Sequence, residues 1–291
     1  MKKLIKTALA LAGIAVCLDA ANRAVFALAE RTGRAAKRDG EKVYKWRFGR
    51  VRYVVTGHVD APPLLLVHGV GMGAGLHEWD AAMPELSRHY RVYALDLLGF
   101  GQSEKSAVTV SAYLYSLLIH DFAKHVIGEK TFVVANNLSC SFAAVASQMG
   151  SAQSLFAKML FIAPHSLRQT SPRRRHAWLK KLLECPILGT SIYLVMASRC
   201  ILRTHLERLG LAKVTNAQID AFYAAAHHGG ANARYTMASF LTNFLYVETD
   251  RALRMAAAPV QIIDEDSDCC LYPHIEDATS LYQTCHAFFE I

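Results

Sequence analysis

The chain lacks charge for its size: 19% of its residues are charged against 53% hydrophobic. That balance excludes an intrinsically disordered chain and suits a globular one with a membrane-facing element. Its positive excess, +8 over 291 residues, is scattered. It never forms a basic stripe interleaved with aromatics, so nucleic acid is not an expected partner. The densest basic spot, Arg173, Arg174, Arg175 and His176 followed by Lys180 and Lys181, reads as a solvated helix start or a surface tolerant of anionic headgroups. The seven cysteines are odd in number and show neither CxxC nor Cys/His ligand spacing. This argues against a disulfide framework and a zinc site, and no metal or cofactor is expected. Most of them read as small core hydrophobes in a reducing compartment. Internal repeats and low-complexity stretches are lacking too.

An uninterrupted apolar run of the ~20 residues that cross a bilayer is also missing. At the N-terminus, Lys2, Lys3 and Lys6 precede an apolar run over 8–18, which Asp19, Asn22 and Arg23 interrupt. Leu4, Leu11, Leu18 and Val25 recur every seven residues and share one helical face. The favoured reading is an uncleaved amphipathic or anchoring helix, ahead of a cleaved signal peptide or a helix packed on the protein itself. Residues 1–30 then meet a membrane surface and the domain is cytoplasmic, with secretion the weaker alternative.

Residues 1–40 are accordingly assigned to this helix and a linker, and 41–291 to one domain. A hairpin is expected over 43–48 and 51–56 with its turn at Gly49-Arg50. Apolar runs at 64–67, 92–95, 132–135 and 159–163 alternate with helical stretches such as 112–126 and 142–149, the pattern of a mostly parallel sheet. From 165 to about 250 the alternation gives way to helices: 176–184, 191–209, 217–226 opened by a Thr215-x-x-Gln218 capping box, and 232–245. A strand over 260–263 resumes the pattern, and a last one is expected over 287–291. A helical insertion between two sheet strands is how a cap is built.

Three local signatures fall in order. His68-Gly69-Val70-Gly71-Met72-Gly73 follows an apolar strand, and the N–H of Val70 can serve as an oxyanion donor. Tyr93 to Ser103 reads as a strand and a tight glycine turn, with Asp96 and Ser103 as bracing groups. Val133-Val134-Ala135-Asn136-Asn137-Leu138-Ser139-Cys140 runs from strand into helix. Together these residues resemble the α/β-hydrolase superfamily, in particular its single-domain esterase, lipase and C–C hydrolase members with a helical cap. The resemblance spans residue 46 to the C-terminus. It implies an α/β-hydrolase fold, with a mostly parallel central sheet, a helical cap and the N-terminal anchor-like helix in addition.

The resemblance also implies a catalytic triad, which transfers incompletely. The elbow apex that carries the family's serine is Asn137, with Leu138 as the second backbone oxyanion donor. Ser139 is the nearest substitute nucleophile, and Cys140 reads as packing. Asp268 falls at the position of the triad acid, although Glu265 stands where the family has a glycine. The family's histidine follows the last strand, and that loop is expected to be missing because 287–291 would be the strand itself. His68, Gly69, Gly71 and His165 are placed around the ligand, with satisfied polar packing the plainer role for the histidines. Three readings follow. The first is a catalytically impaired hydrolase-fold protein that retains a pocket for a small apolar or acyl ligand. The second is an active carboxylic-ester or C–C hydrolase using a displaced residue or a missing tail. The third is a membrane-tethered interaction module.

Overall fold

The computed structural model describes residues 2–32, 38–150, 154–164, 174–211, 213–263 and 273–289. Among the described residues seven strands form one sheet: β1 Glu41–Trp46, β2 Gly49–Thr56, β3 Pro63–Val67, β4 Arg91–Leu95, β5 Thr131–Asn136, β6 Phe156–Ile162 and β7 Val260–Ile263. Their order is β1-β2-β4-β3-β5-β6-β7, with β1 and β2 antiparallel and β4 through β7 parallel. The sheet is therefore mixed. The hairpin turn lies at Arg47-Phe48, two residues before the expected place, since Trp46 pairs with Gly49.

The central strands are apolar throughout because both of their faces are covered. Leu65 and Val67 of β3, Tyr93 and Leu95 of β4, Val133 and Ala135 of β5, and Met159 and Phe161 of β6 enter one core. The alternate residues Leu64, Leu66, Val92, Ala94, Val134, Leu160 and Ile162 enter the other. Helices α3 (Ala112–Phe122) and α4 (Ser139–Ala146) cover the first face. The second is covered by the short α2 (Met83–Leu86) and by the helix over Ala278–Phe289 described below.

Between β6 and β7 stand α5 (Ala177–Glu184), α6 (Leu188–Met196), α7 (Arg199–Arg208), α8 (Asn216–His227), α9 (Ala233–Leu241) and α10 (Thr249–Arg254). The expected single helix over 191–209 is two, because Ser198 takes extended backbone (ψ 148°) and begins α7 anew. The Thr215–Gln218 capping box is present in both directions. A third core inside this cap includes Tyr193, Leu202, Leu206, Ile219, Phe222 and Met237.

The expected strand over 287–291 is corrected: up to Phe289 this segment is helical. After α11 (Pro273–Glu276), α12 runs Ala278–Phe289. Leu281, Cys285 and Phe289, every fourth residue, face the second core. Phe289 stacks on Phe132 of β5 with ring centroids 4.4 Å apart. His286 lies on the outer side of α12 beside His89. Cysteine use is more varied than expected: Cys140 and Cys285 are core residues, Cys185 is half-buried, and Cys17 and Cys200 are exposed. Lys180 of the basic spot is buried and pairs with Glu184.

The N-terminal helix, α1, is longer than its apolar run suggested, Lys2–Thr32. Asp19 and Arg23 pair one turn apart, Nε to Oδ2 2.8 Å, so the apparent interruption is a helical ion pair. An 18-residue window within Ile5–Arg31 has a mean hydropathy of 1.6, and the span is long and apolar enough to cross a membrane, a property that signal sequences and core helices share. Leu11, Leu18 and Val25 of the expected stripe are exposed; Asn22, Phe26 and Ala29 form the buried face instead.

Candidate active site

The strand-to-helix elbow is built. Between β5 and α4, Asn137 takes φ +54°, a left-handed backbone in which asparagine is less strained than most residues. Its N–H donates to the Ile162 carbonyl (2.9 Å) and its carbonyl accepts from Cys140 N–H (3.2 Å). Ala135, Asn136, Leu138 and Ser139 are buried, whereas Asn137 is half-exposed. Gly69 packs directly against it, such that a Cβ on that glycine would lie 3.5 Å from the Asn137 Cβ. Neither the Val70 nor the Leu138 N–H has an acceptor among the described residues. Both stay available to a ligand oxygen.

The Ser139 hydroxyl is committed away from the elbow apex. It donates to the His68 carbonyl at 2.6 Å and is fully buried at the start of α4. Cys140 is packing, as expected: its thiol donates to the Ala135 carbonyl, and burial pushes its pKa up. His68 is not positioned to touch a ligand either. Nε2 accepts from Leu97 N–H (3.0 Å), which leaves the proton on Nδ1 to donate to the Gly69 carbonyl (2.6 Å). Burial pushes its pKa down to about 4 against the opposing pull of that carbonyl, so it stays a neutral brace between the ends of β3 and β4. Gly71 closes the oxyanion loop by accepting from Ala74 N–H. Asp96 and Ser103 brace the turn after β4. The Asp96 carboxylate accepts from Leu76 and Gln102 N–H, and the Ser103 hydroxyl donates to the Asp96 carbonyl. Asp268 and His165 lie outside the described residues.

Sequence reasoning missed a buried pair beneath the oxyanion loop. Glu78, on a short 3-10 helix Leu76–Trp79, is fully buried. One of its oxygens, Oε2, accepts from Gly69 N–H (3.0 Å) and Asn136 Nδ2 (3.3 Å), so it joins the loop to the end of β5. His274 of α11 stacks on Trp79 at 4.3 Å and brings Nε2 to 4.0 Å from the same oxygen. Burial pushes Glu78 up to about 7, against the lowering effect of those donors, and pushes His274 down to about 3. The only available sequence signal was a charged residue one position before a core tryptophan.

The oxyanion loop is also tied to the cap. Met72 enters the cap core, and Gly73 lies so close to α8 that a Cβ there would meet the Phe222 carbonyl at 2.3 Å. A cavity of about 1170 Å³ opens elsewhere, between α1, α8 and the β1–β2 edge. Arg38, Arg52, His77 and His228 are among its lining residues, and none comes from the elbow.

Strand order, elbow and cap together define an α/β-hydrolase fold. Residues 62–182 match the alpha/beta hydrolase fold family. A curated relative, the 2-hydroxy-6-oxo-6-(2'-aminophenyl)hexa-2,4-dienoic acid hydrolase of Metapseudomonas resinovorans, is 35% identical over 103 residues, 34% of this chain and 36% of that protein. The match thus spans little more than a third of that relative's length. Among solved structures, the carboxylesterase CesB of Bacillus subtilis superposes with a TM-score of 0.57 at 13% identity, covering 94% of this chain and 98% of that one. A membrane phospholipase A superposes at 0.60 with 20% identity over 100% and 98% of the two chains. At these identities the structures speak for the fold. The resemblance read from the sequence holds, with esterases and C–C hydrolases among the similar proteins.

Proposed function

We propose that the chain binds a small apolar or acyl ligand through its carbonyl oxygen, while the acyl-transfer chemistry of its fold is impaired at Asn137. The observation that carries this reading is an elbow whose backbone is in place and whose apex side chain is an amide. Val70 and Leu138 N–H remain unengaged among the described residues, so a carbonyl oxygen placed above Asn137 has two donors. An ester or ketone carbonyl is the shared chemistry of the reactions named for the similar esterase and C–C hydrolase. An amide oxygen is too poor a nucleophile to form the covalent intermediate that a serine would form, and Ser139 and Cys140 are committed to backbone carbonyls.

A membrane tether through α1 completes the reading, supported by its length, its hydropathy and the fully covering likeness to a membrane phospholipase A. The test is a fluorophosphonate probe with peptide mapping. The native chain is expected to stay unlabelled. A labelled serine in the native chain, or its turnover of a short p-nitrophenyl ester, overturns the impairment and leaves an active hydrolase.

A further inference from the structure

Helix α1 uses only one face against the protein. Asn22 Nδ2 donates to the Ile187 carbonyl (3.2 Å) and to Ser191 Oγ (3.1 Å) at the start of α6, and the Phe26 ring lies 5.7 Å from His227 of α8. None of the described side chains before Asn22 is buried. Residues 2–21 therefore project as about 20 residues of helix, ~30 Å at 1.5 Å per residue. That length matches a bilayer's hydrocarbon core of ~30 Å. The point where α1 meets the cap would then sit at headgroup level.

The surface at that level has the composition such a position requires. Leu18 and Val25 flank Asn22 on α1 and are 40% and 38% exposed; Leu188 and Val195 flank Ser191 on α6 and are 47% and 61% exposed. The three- and four-residue spacings place all four along the α1–α6 seam. On α5, which packs against α6, Trp178 is 70% exposed with Leu182 one turn beyond. Arg174, Arg175 and Lys181 stand exposed beside them. An apolar and aromatic tip ringed by cations is the pattern of a helix lying in an anionic interface.

We propose that the α5–α6 side of the cap, beside α1, is a docking surface for an anionic lipid bilayer, resting in its headgroup region while α1 enters the core. The proposal rests on the tether reading and adds an orientation to it: the cap faces the lipid. Met72 of the oxyanion loop shares the cap core with Phe26, so the docked face and the ligand site belong to one packed unit.

Trp178 supplies the readout, because Trp46 and Trp79, the other two tryptophans, are buried. The full-length chain is reconstituted in phosphatidylcholine/phosphatidylglycerol vesicles, with some lipids brominated near the glycerol end of the acyl chain. The expected result is bromolipid quenching and loss of acrylamide access, both absent in Trp178→Phe. An Arg174→Glu/Lys181→Glu variant should still co-float but lose most of the quenching. Each cation near an anionic surface contributes about fivefold to partitioning. Co-flotation with Trp178 still open to acrylamide and unquenched by bromolipid overturns the docking and leaves the tether standing. Failure to co-float removes the tether and this proposal together. Protection already complete in a detergent-solubilised dimer assigns the face to a second copy, which also overturns it.

Discussion

Replacing Glu78 by glutamine isolates one buried titration. In the folded chain this carboxyl is held near pKa 7 because burial outweighs its donors, and Oε1 finds no hydrogen-bond partner among the described residues. Unfolded, it returns to its ordinary value of about 4.5. An acid whose folded pKa is raised contributes stability below its unfolded value and loses it as pH climbs through the folded one. The loss therefore falls between about pH 4.5 and 7. At 1.36 kcal/mol per unit, the part lost between pH 5 and 8 is about 2–3 kcal/mol.

Glu78→Gln cannot ionise, so it escapes that loss while keeping an oxygen for Gly69 N–H. Its amide brings an unpaired donor of its own, which shifts the whole curve by a constant ~1–3 kcal/mol. The quantity to measure is consequently the gap between the two proteins against pH, by thermal unfolding in detergent at several points from pH 5 to 8. His68, His77 and His274 have depressed folded pKa values and work in the opposite sense, losing stability as pH falls below their unfolded range. They are present in both proteins and cancel in the gap. The variant should gain about 3–5 °C relative to the native chain between the two ends. A constant gap would show that Glu78 ionises near its ordinary value. A gap moving the other way would show a Glu78–His274 ion pair, and either result refutes the reasoning.

Gly101→Ala should abolish folding or cost well over ~3 kcal/mol, since φ is +48° and its Cβ would meet Asp96 Oδ1 at 1.9 Å. Gly230→Ala, at φ +68° with nothing within 4 Å, should cost only about 1 kcal/mol; comparing soluble yield and melting temperature separates the two. Phe289→Ala should cost about 3–5 kcal/mol, because its ring is buried and stacked on Phe132; a neutral result by chemical denaturation would argue against α12 covering the sheet. Ser139→Ala should lower stability by about 1–2 kcal/mol through its lost bond to the His68 carbonyl.

The strands were legible because their apolar runs are short, continuous and bounded: 260–263 was read without error, and β3 and β4 to within one residue. The elbow was legible from its small flanking residues and its spacing from the glycine loop. The segment over 287–291 misled because the apolar Ala287-Phe288-Phe289 looks like the start of a strand. Only the spacing of Leu281, Cys285 and Phe289 reveals the helix that continues into them. Glu78 and His274 were invisible for a different reason. They are 196 positions apart, and each becomes buried only when the sheet brings the oxyanion loop and α11 together. Local pattern assigns charged residues to solvent unless a partner is in view. Likewise, Asp19 and Arg23 looked like a break in an apolar run, although on a helix they neutralise each other.

The contacts that hold the elbow explain how an asparagine can occupy its apex without dismantling it. Asn137 N–H bonds to β6, its carbonyl bonds to Cys140, Ser139 ties α4 to His68, and the Cys140 thiol caps Ala135. Every one of these uses a backbone group or a neighbour's side chain, and none uses the Asn137 amide. Glu78 reinforces the arrangement from below by joining Gly69 to Asn136. The positions of the two oxyanion donors are therefore set by the sheet and the first turn of α4, independently of the group at the apex. A serine placed there would inherit the same backbone geometry.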